Sequence, residues 1–406
     1  MTSEVIIKNK SGIVLAADSA VTISQGSIQQ KVYNTANKLF SLSKEYPVGI
    51  LVYNNAAINE IPVEIIIKEF RAQHGKNNYA TISKCSEAFK SFVEDFVKSH
   101  TSTDNRKIQL CTYFQEYLNY LSMLINNVSA NVAQIYDIIK DQEKNLEDII
   151  IQQKRQRFDS DDINQYYETL TSKQLGLDLF NLRLGLKLTK EDVKKLFFLY
   201  LSFINHITGF AICGYGSSEI YPAISKMEII GLIGDNFYII NDENIVSSTS
   251  CGIVPLAQRD MMDTFLRGVS DSVLQQFQKM LNETVDKTLN EIQAVFKLPD
   301  EIFLTLLDNI KKDIVANFGL DDYINHVQIS PRLDALNNLS KEEMAELAEY
   351  LIKLQAINYK VSNNLEQVGG PIDVAIISKH DGFIWKQRKL YFPADINFHF
   401  FENYFK

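Results

Sequence analysis

The first eighteen residues constrain the fold more than any other stretch. Two short apolar runs, Val5-Ile6-Ile7 and Ile13-Val14-Leu15-Ala16-Ala17, flank the turn-like Asn9-Lys10-Ser11-Gly12, and the second run ends on Asp18. Residues 4–8 and 13–18 therefore read as a β-hairpin. Folded about Lys10, it opposes residues whose numbers sum to about 20, which sets Thr2 across from Asp18 at the separation of cross-strand neighbours. Thr2 directly follows Met1, and no basic segment leading into an apolar stretch precedes the hairpin, so no signal peptide is read.

Strand character continues at 38–42 and 48–53, and from Ile61 the pattern turns helical, with Pro62 near a helix start where proline is tolerated. Residues 80–206 read as nearly all helical, with polar breaks near 101–106, 155–162 and 186–190 and a helix start at Thr189-x-x-Asp192. Strands return in "GFAICGYG" (209–216) and "MEIIGLIGDNFYIIN" (227–241), and a second helical block spans roughly 255–362. Its last helix begins at the capping box Ser340-x-x-Glu343, with Met344, Leu347, Leu351 and Leu354 following at helical spacing. Strands at 369–378 and 382–392 close the pattern. Strand sets interrupted twice by helices imply one sheet-based domain carrying two large insertions.

Composition narrows the function classes. A net charge of −9 leaves no overall basic footprint for nucleic acid. No apolar run approaches the ~18 residues of a membrane span. The four cysteines, Cys85, Cys111, Cys213 and Cys251, form no Cys-x-x-Cys pair, and the six histidines form no His-Glu-x-x-His. A zinc site is therefore not expected, and the expected compartment is a reducing cytoplasm.

The opening stretch has chemical content of its own. If Met1 is removed, Thr2 carries a free α-amine beside its hydroxyl. Such an amine titrates near 7.7–8.0, so one residue can supply nucleophile and base. "SGIVLAADSAVT", then "NKLFSL" (37–42), then "VGILVYNNAA" (48–57) resembles the start of proteasome β-subunits and the related bacterial proteasome-like peptidase, which are N-terminal-nucleophile hydrolases. "FAICGYGSSEIYP", "STSCGIVPLAQRDMMDTFLRG" and "SKEEMAELAEYLIKL" with "VGGPIDVAIISKHDGF" resemble later family segments in family order.

The resemblance implies an α+β fold, a four-layer αββα sandwich of residues 1–71, 207–269 and 339–406, with helical insertions at 72–206 and 270–338. It implies Thr2 as nucleophile, Asp18 as the carboxylate, Lys38 as its partner, and the Asn54 N–H as oxyanion donor. The helper position that is serine in the family aligns with Cys251 or Ser250. The second helper serine is Val368 here, and the preceding aspartate position is Leu365, with Glu366 beside it. Ala20 and Asn54 also depart from the family pattern. The implied activity is hydrolysis of peptide or other amide bonds by a homo-oligomer that needs no metal or organic cofactor. The apolar faces of the helical insertions read by default as internal packing, with a partner-protein or self-association surface as the alternative. The alternative is a catalytically silent, proteasome-like scaffold.

Overall fold

A computed structural model describes residues 3–25, 29–127, 132–152, 161–202, 207–245, 248, 250–296, 303–305, 309–310, 320–362 and 368–399. The first strands are β1 (Ser3–Asn9), β2 (Gly12–Ala17), β3 (Val21–Gln25), β4 (Gln29–Tyr33), β5 (Leu39–Ser41) and β6 (Val48–Asn54), then the short β7 (Ala57–Ile58) and β8 (Ile61–Pro62). Helices follow: α1 (Val63–His74), α2 (Ile82–His100), α3 (Thr103–Asn127), α4 (Val132–Gln152), α5 (Asp161–Glu168), α6 (Leu177–Leu184) and α7 (Lys194–Ser202). Next come β9 (Thr208–Gly214), β10 (Ala223–Ile233), β11 (Asn236–Ile245), β12 (Gly252–Ala257), α8 (Asp260–Arg267) and α9 (Asp271–Phe296). Helical residues Leu320–Tyr323, a π-helical turn Ile324–Ile329 and Ser330–Leu336 precede α10 (Lys341–Val361), β13 (Asp373–Ser378) and β14 (Gly382–Gln387).

The chain divides into two compact units, one of residues 1–19, 249–376 and 385–389, the other of residues 20–248, 377–384 and 390–406. The first is built on a five-stranded sheet ordered β12-β1-β2-β13-β14. Val5 and Ile7 of β1, Val14 and Ala16 of β2, and Val374 and Ile376 of β13 share a core with Met344, Ala348, Leu351 and Ile352 of α10. This is the period-two face of a sheet meeting the buried stripe of a helix. The strands β1 and β2 are buried on their other face too, so the stretches Val5-Ile6-Ile7 and Ile13-Val14-Leu15-Ala16-Ala17 within them are continuously apolar rather than alternating.

The hairpin register corrects the sequence expectation. Glu4 faces Ala17 and Asn9 faces Gly12, so opposed numbers sum to 21. The turn is the two-residue Lys10-Ser11, closed by the Asn9 side chain, whose Oδ1 accepts from the Ser11 N–H at 2.9 Å.

The second unit holds an antiparallel sheet ordered β11-β10-β9-β6-β5. Helices α1 and α2 cover it, with Ile66 and Phe70 of α1 and Phe89, Val93 and Val97 of α2 packed with Phe210, Ile212 and Met227. Thus α2, expected within an insertion, shares the core of this sheet. A separate helical core gathers Phe114 and Leu118 of α3, Tyr167 of α5, Phe180 of α6 and Phe197 of α7. Arg106 on α3 ties it to the sheet, its Nε donating to the Gly234 carbonyl at 2.8 Å and its Nη2 to Asp235 at 2.7 Å.

Two elements differ from the sequence pattern, and Pro62 keeps its expected place at a helix start. Residues 227–241, read as one strand, are parts of two strands hinged at Gly234-Asp235, where Gly234 takes the positive φ of 63° that a tight hairpin needs. Residues 255–257, placed at the head of a helical block, are the end of β12. That strand is the sheet edge, where Pro255 costs no ladder bond on its open side. Pro62 stands at the N-cap of α1, one residue before the helix, with φ −58° and ψ 130°.

Candidate functional site

The candidate site in the first unit is assembled at the start of β1. Asp18 follows β2 and is wholly buried. Its Oδ1 accepts from the Ser3 N–H at 3.1 Å and its Oδ2 from the Gly369 N–H at 2.9 Å. The Asp18 N–H in turn donates to the Ser3 carbonyl at 3.1 Å. One carboxylate thus links the first described residue of the chain, the end of β2 and the loop before β13. A buried carboxylate is retained when hydrogen bonds replace its lost hydration, and backbone N–H donors do that with fixed geometry.

The Gly-Gly loop is shaped for this contact. Gly370 adopts φ 77°, a conformation costly for other residues, and the turn presents the Gly369 N–H to Asp18. The Gly369 carbonyl receives the Ser19 N–H at 3.1 Å, and Ser19 Oγ donates to the Pro371 carbonyl at 2.5 Å. Val368, which stands where the resembled family has a serine, is buried.

On the other side of β1, Ser3 pairs with Ala257 at the end of β12. Ala257 has φ 54°, a left-handed conformation that costs an alanine about 1–3 kcal/mol and persists only where its surroundings hold it. Those surroundings come from α10. Gln355 Oε1 accepts from the Met261 N–H at 2.9 Å in the first turn of α8, and Tyr359, one turn further along α10, donates its hydroxyl to Gln258 Oε1. Burial raises the Tyr359 hydroxyl above its ordinary range, with the charge of Asp260 adding to the effect, so at neutral pH it acts as a donor. Ser3 Oγ makes a long bond of 3.4 Å to the Gln258 carbonyl. Gln258 and Tyr359 were not anticipated from sequence. The start of α8 at Asp260 is the signal that points to Gln258 as the residue between strand and helix.

The expected partners distribute as follows. The residue opposite Asp18 is Ser3, not Thr2. Thr2 and Glu366 lie outside the described residues. Cys251 sits beside Gly252, which pairs with Lys8, whereas Ala257 pairs with Ser3. Five residues of strand separate those pairs, roughly 17 Å. The structure therefore does not bring Cys251 to Asp18; its thiol donates to the Leu333 carbonyl at 3.0 Å. The neighbouring candidate Ser250 lies further still along the chain from Ala257.

Two expected residues belong to the second unit. Lys38 is buried immediately before β5, and its carbonyl accepts from the Val52 N–H at 2.8 Å. Asn54 ends β6, is exposed, and takes φ 66°. Asparagine is among the few residues that occupy this region readily, which explains how it stands where the resembled family has glycine.

The remaining chemistry in the described residues is sparse. Burial pushes the thiols of Cys111 and Cys85 up to about 11 and about 12, and raises Cys213 as well, so none is a thiolate at neutral pH. No group of three or more His, Cys, Asp or Glu among the described residues is placed to hold a metal ion. None of the described helices is long and apolar enough to cross a membrane. An open cleft of about 530 Å³ in the second unit is lined by Lys44, Lys68, Arg71 and Lys76 with Glu45. Lys68 pairs with Glu64, and Arg71 donates to the Ser41 carbonyl.

No protein-family model matches the chain, and no curated protein matches it. Among solved structures it is similar to the Anbu (Gly-1) mutant from Hyphomicrobium sp. strain MC1, at 12% identity and a TM-score of 0.29, over 100% of this chain and 92% of that one. A likeness at that level carries no argument about function.

Proposed function

We propose that the protein is a proteasome-like N-terminal-nucleophile hydrolase that cleaves peptide or other amide bonds from Thr2. The observation that carries the reading is the buried Asp18 carboxylate, bonded to the Ser3 N–H one residue from Thr2 and to the Gly369 N–H. The ordered resemblance in the sequence supports it. In this reading Thr2 Oγ attacks the carbonyl while its α-amine takes the proton. The sequence resemblance assigns stabilisation of the developing alkoxide to Lys38 and of the oxyanion to the Asn54 N–H. The ester so formed is released by water activated by the same amine.

A second reading, a catalytically silent scaffold, is favoured by Val368. The family's hydroxyl at that position is replaced by a buried, non-bonding side chain. One experiment separates the two: intact mass before and after incubation with a threonine-directed β-lactone. The hydrolase reading expects loss of Met1 and a single adduct that is absent in Thr2→Ala. The adduct should form faster as pH rises through about 7.7–8.0, where an α-amine loses its proton. Retention of Met1, or an exposed Thr2 that stays unmodified, establishes the scaffold.

A further inference from the structure

Helix α10 has two apolar faces. One is buried on the first sheet, through Met344, Ala348, Leu351 and Ile352. The other carries Tyr350, Leu354, Ile357 and Val361, exposed by 62%, 39%, 57% and 79%. Successive members are four, three and four residues apart, the spacing of a seam that receives a second helix. Single apolar residues scattered on a surface need no explanation, but a continuous stripe along one helix marks a contact site.

Charge selects the occupant. Glu342, Glu343 and Glu346 are exposed at the start of α10, and Lys353 and Lys360 are exposed in its second half. Lys353 is held by Glu349 of its own helix at 2.7 Å. A parallel copy of the helix would set glutamates against glutamates. An antiparallel copy sets Glu346 of one against Lys360 of the other, twice by symmetry, and also opposes the two helix dipoles. We propose that two copies of this chain associate through α10, antiparallel about a two-fold axis between Lys353 and Leu354. Tyr350 then lies over the partner's Ile357, and Glu346 reaches the partner's Lys360. Such an interface is self-complementary and closes at two copies. It does not depend on whether Thr2 is active.

The test is sedimentation equilibrium of the full chain across a dilution series. A dimer is expected, with Ile357→Asp raising the dissociation constant at least about tenfold. Glu346→Lys and Lys360→Glu should each weaken the dimer, and the double variant Glu346→Lys/Lys360→Glu should restore it towards wild type. Restoration is a result that misfolding cannot mimic. All these side chains are exposed, so far-UV circular dichroism and melting of the separated chains should not change. A wild-type chain that is monomeric throughout overturns the proposal. So does a dimer indifferent to Ile357→Asp, or charge reversals that add without rescue.

Discussion

At the scale of single residues, Asp18 holds the first strand in place. Its two oxygens serve two different backbone donors, so an amide at this position keeps one acceptor and turns an NH₂ group towards the other N–H. Hydrogen bonds to a charged group are worth about 1.5–3 kcal/mol each, and leaving a buried donor unpaired adds to the loss. Asp18→Asn is therefore expected to lower stability by about 2–3 kcal/mol, seen as a lower urea midpoint at unchanged slope. In the hydrolase reading it also abolishes the β-lactone adduct under conditions where the variant is still folded. A variant as stable as wild type would show that Asp18 does not anchor the strand. Part of this neighbourhood was legible in the sequence: the hairpin and Asp18 at its end stand out as local signals, whereas Gly369-Gly370, read as the start of a strand, lie in the loop before β13, which begins only at Asp373. The register did not, because Lys10-Ser11 and a turn centred on Lys10 differ by one residue and both satisfy the apolar pattern. Tyr359 and Gln258 were out of reach because |i−j| is 101 and nothing local marks either.

At the scale of elements, the assignments that held are those with explicit punctuation. The capping box of α10 is present in both directions: the Glu343 N–H donates to Ser340 Oγ at 3.2 Å and the Ser340 N–H to the Glu343 carboxylate at 2.8 Å. Thr189 and Asp192 also make a reciprocal pair, at 2.7 Å and 3.3 Å, but it closes a turn, and α7 begins only at Lys194. By contrast β12 was hidden by Pro255, which argues against a strand unless the strand is an edge, and edge position is a tertiary property. The α10 cap matters because the same helix supports Ala257 through Gln355 and Tyr359. Ser340→Ala should destabilise the first unit by about 1 kcal/mol in urea. The Ser340 N–H holds the Glu343 carboxyl below its ordinary range. A carboxylate with a lowered folded-state pKa stabilises above its unfolded value, and that contribution is lost as pH falls. The advantage of wild type over Glu343→Ala should therefore be full at neutral pH and shrink on acidification through the carboxylate range. An advantage that does not vary with pH would remove the carboxylate from the cap.

At the scale of the whole molecule, three apolar cores divide the described residues between two units. Met344, Val5 and Val374 belong to the core of the first; the sheet core around Phe210 and the helical core around Phe114 belong to the second. Three strand-rich stretches separated by two helical blocks were visible from the order of patterns along the chain. Which helices join which core was not, because α2 and α3 have the same periodicity and differ only in what they pack against. The division has a spectroscopic handle. The sequence has one tryptophan, Trp385, and it lies in the first unit, with the Arg388 guanidinium 4.7 Å from its ring centre. Phe114 is fully buried, edge-on to Phe197 at 5.1 Å, and its truncation to alanine should cost about 3–5 kcal/mol of the helical core. Met344 is fully buried on the first sheet, and Met344→Ala should cost about 2–5 kcal/mol there. With no shared core residue, the effects should stay separate. Phe114→Ala should lower the urea midpoint followed by circular dichroism and leave the Trp385 fluorescence transition in place. Met344→Ala should move the fluorescence transition. If Phe114→Ala moves both probes together, the two units unfold as one cooperative body, and their separate cores are not separate thermodynamic units.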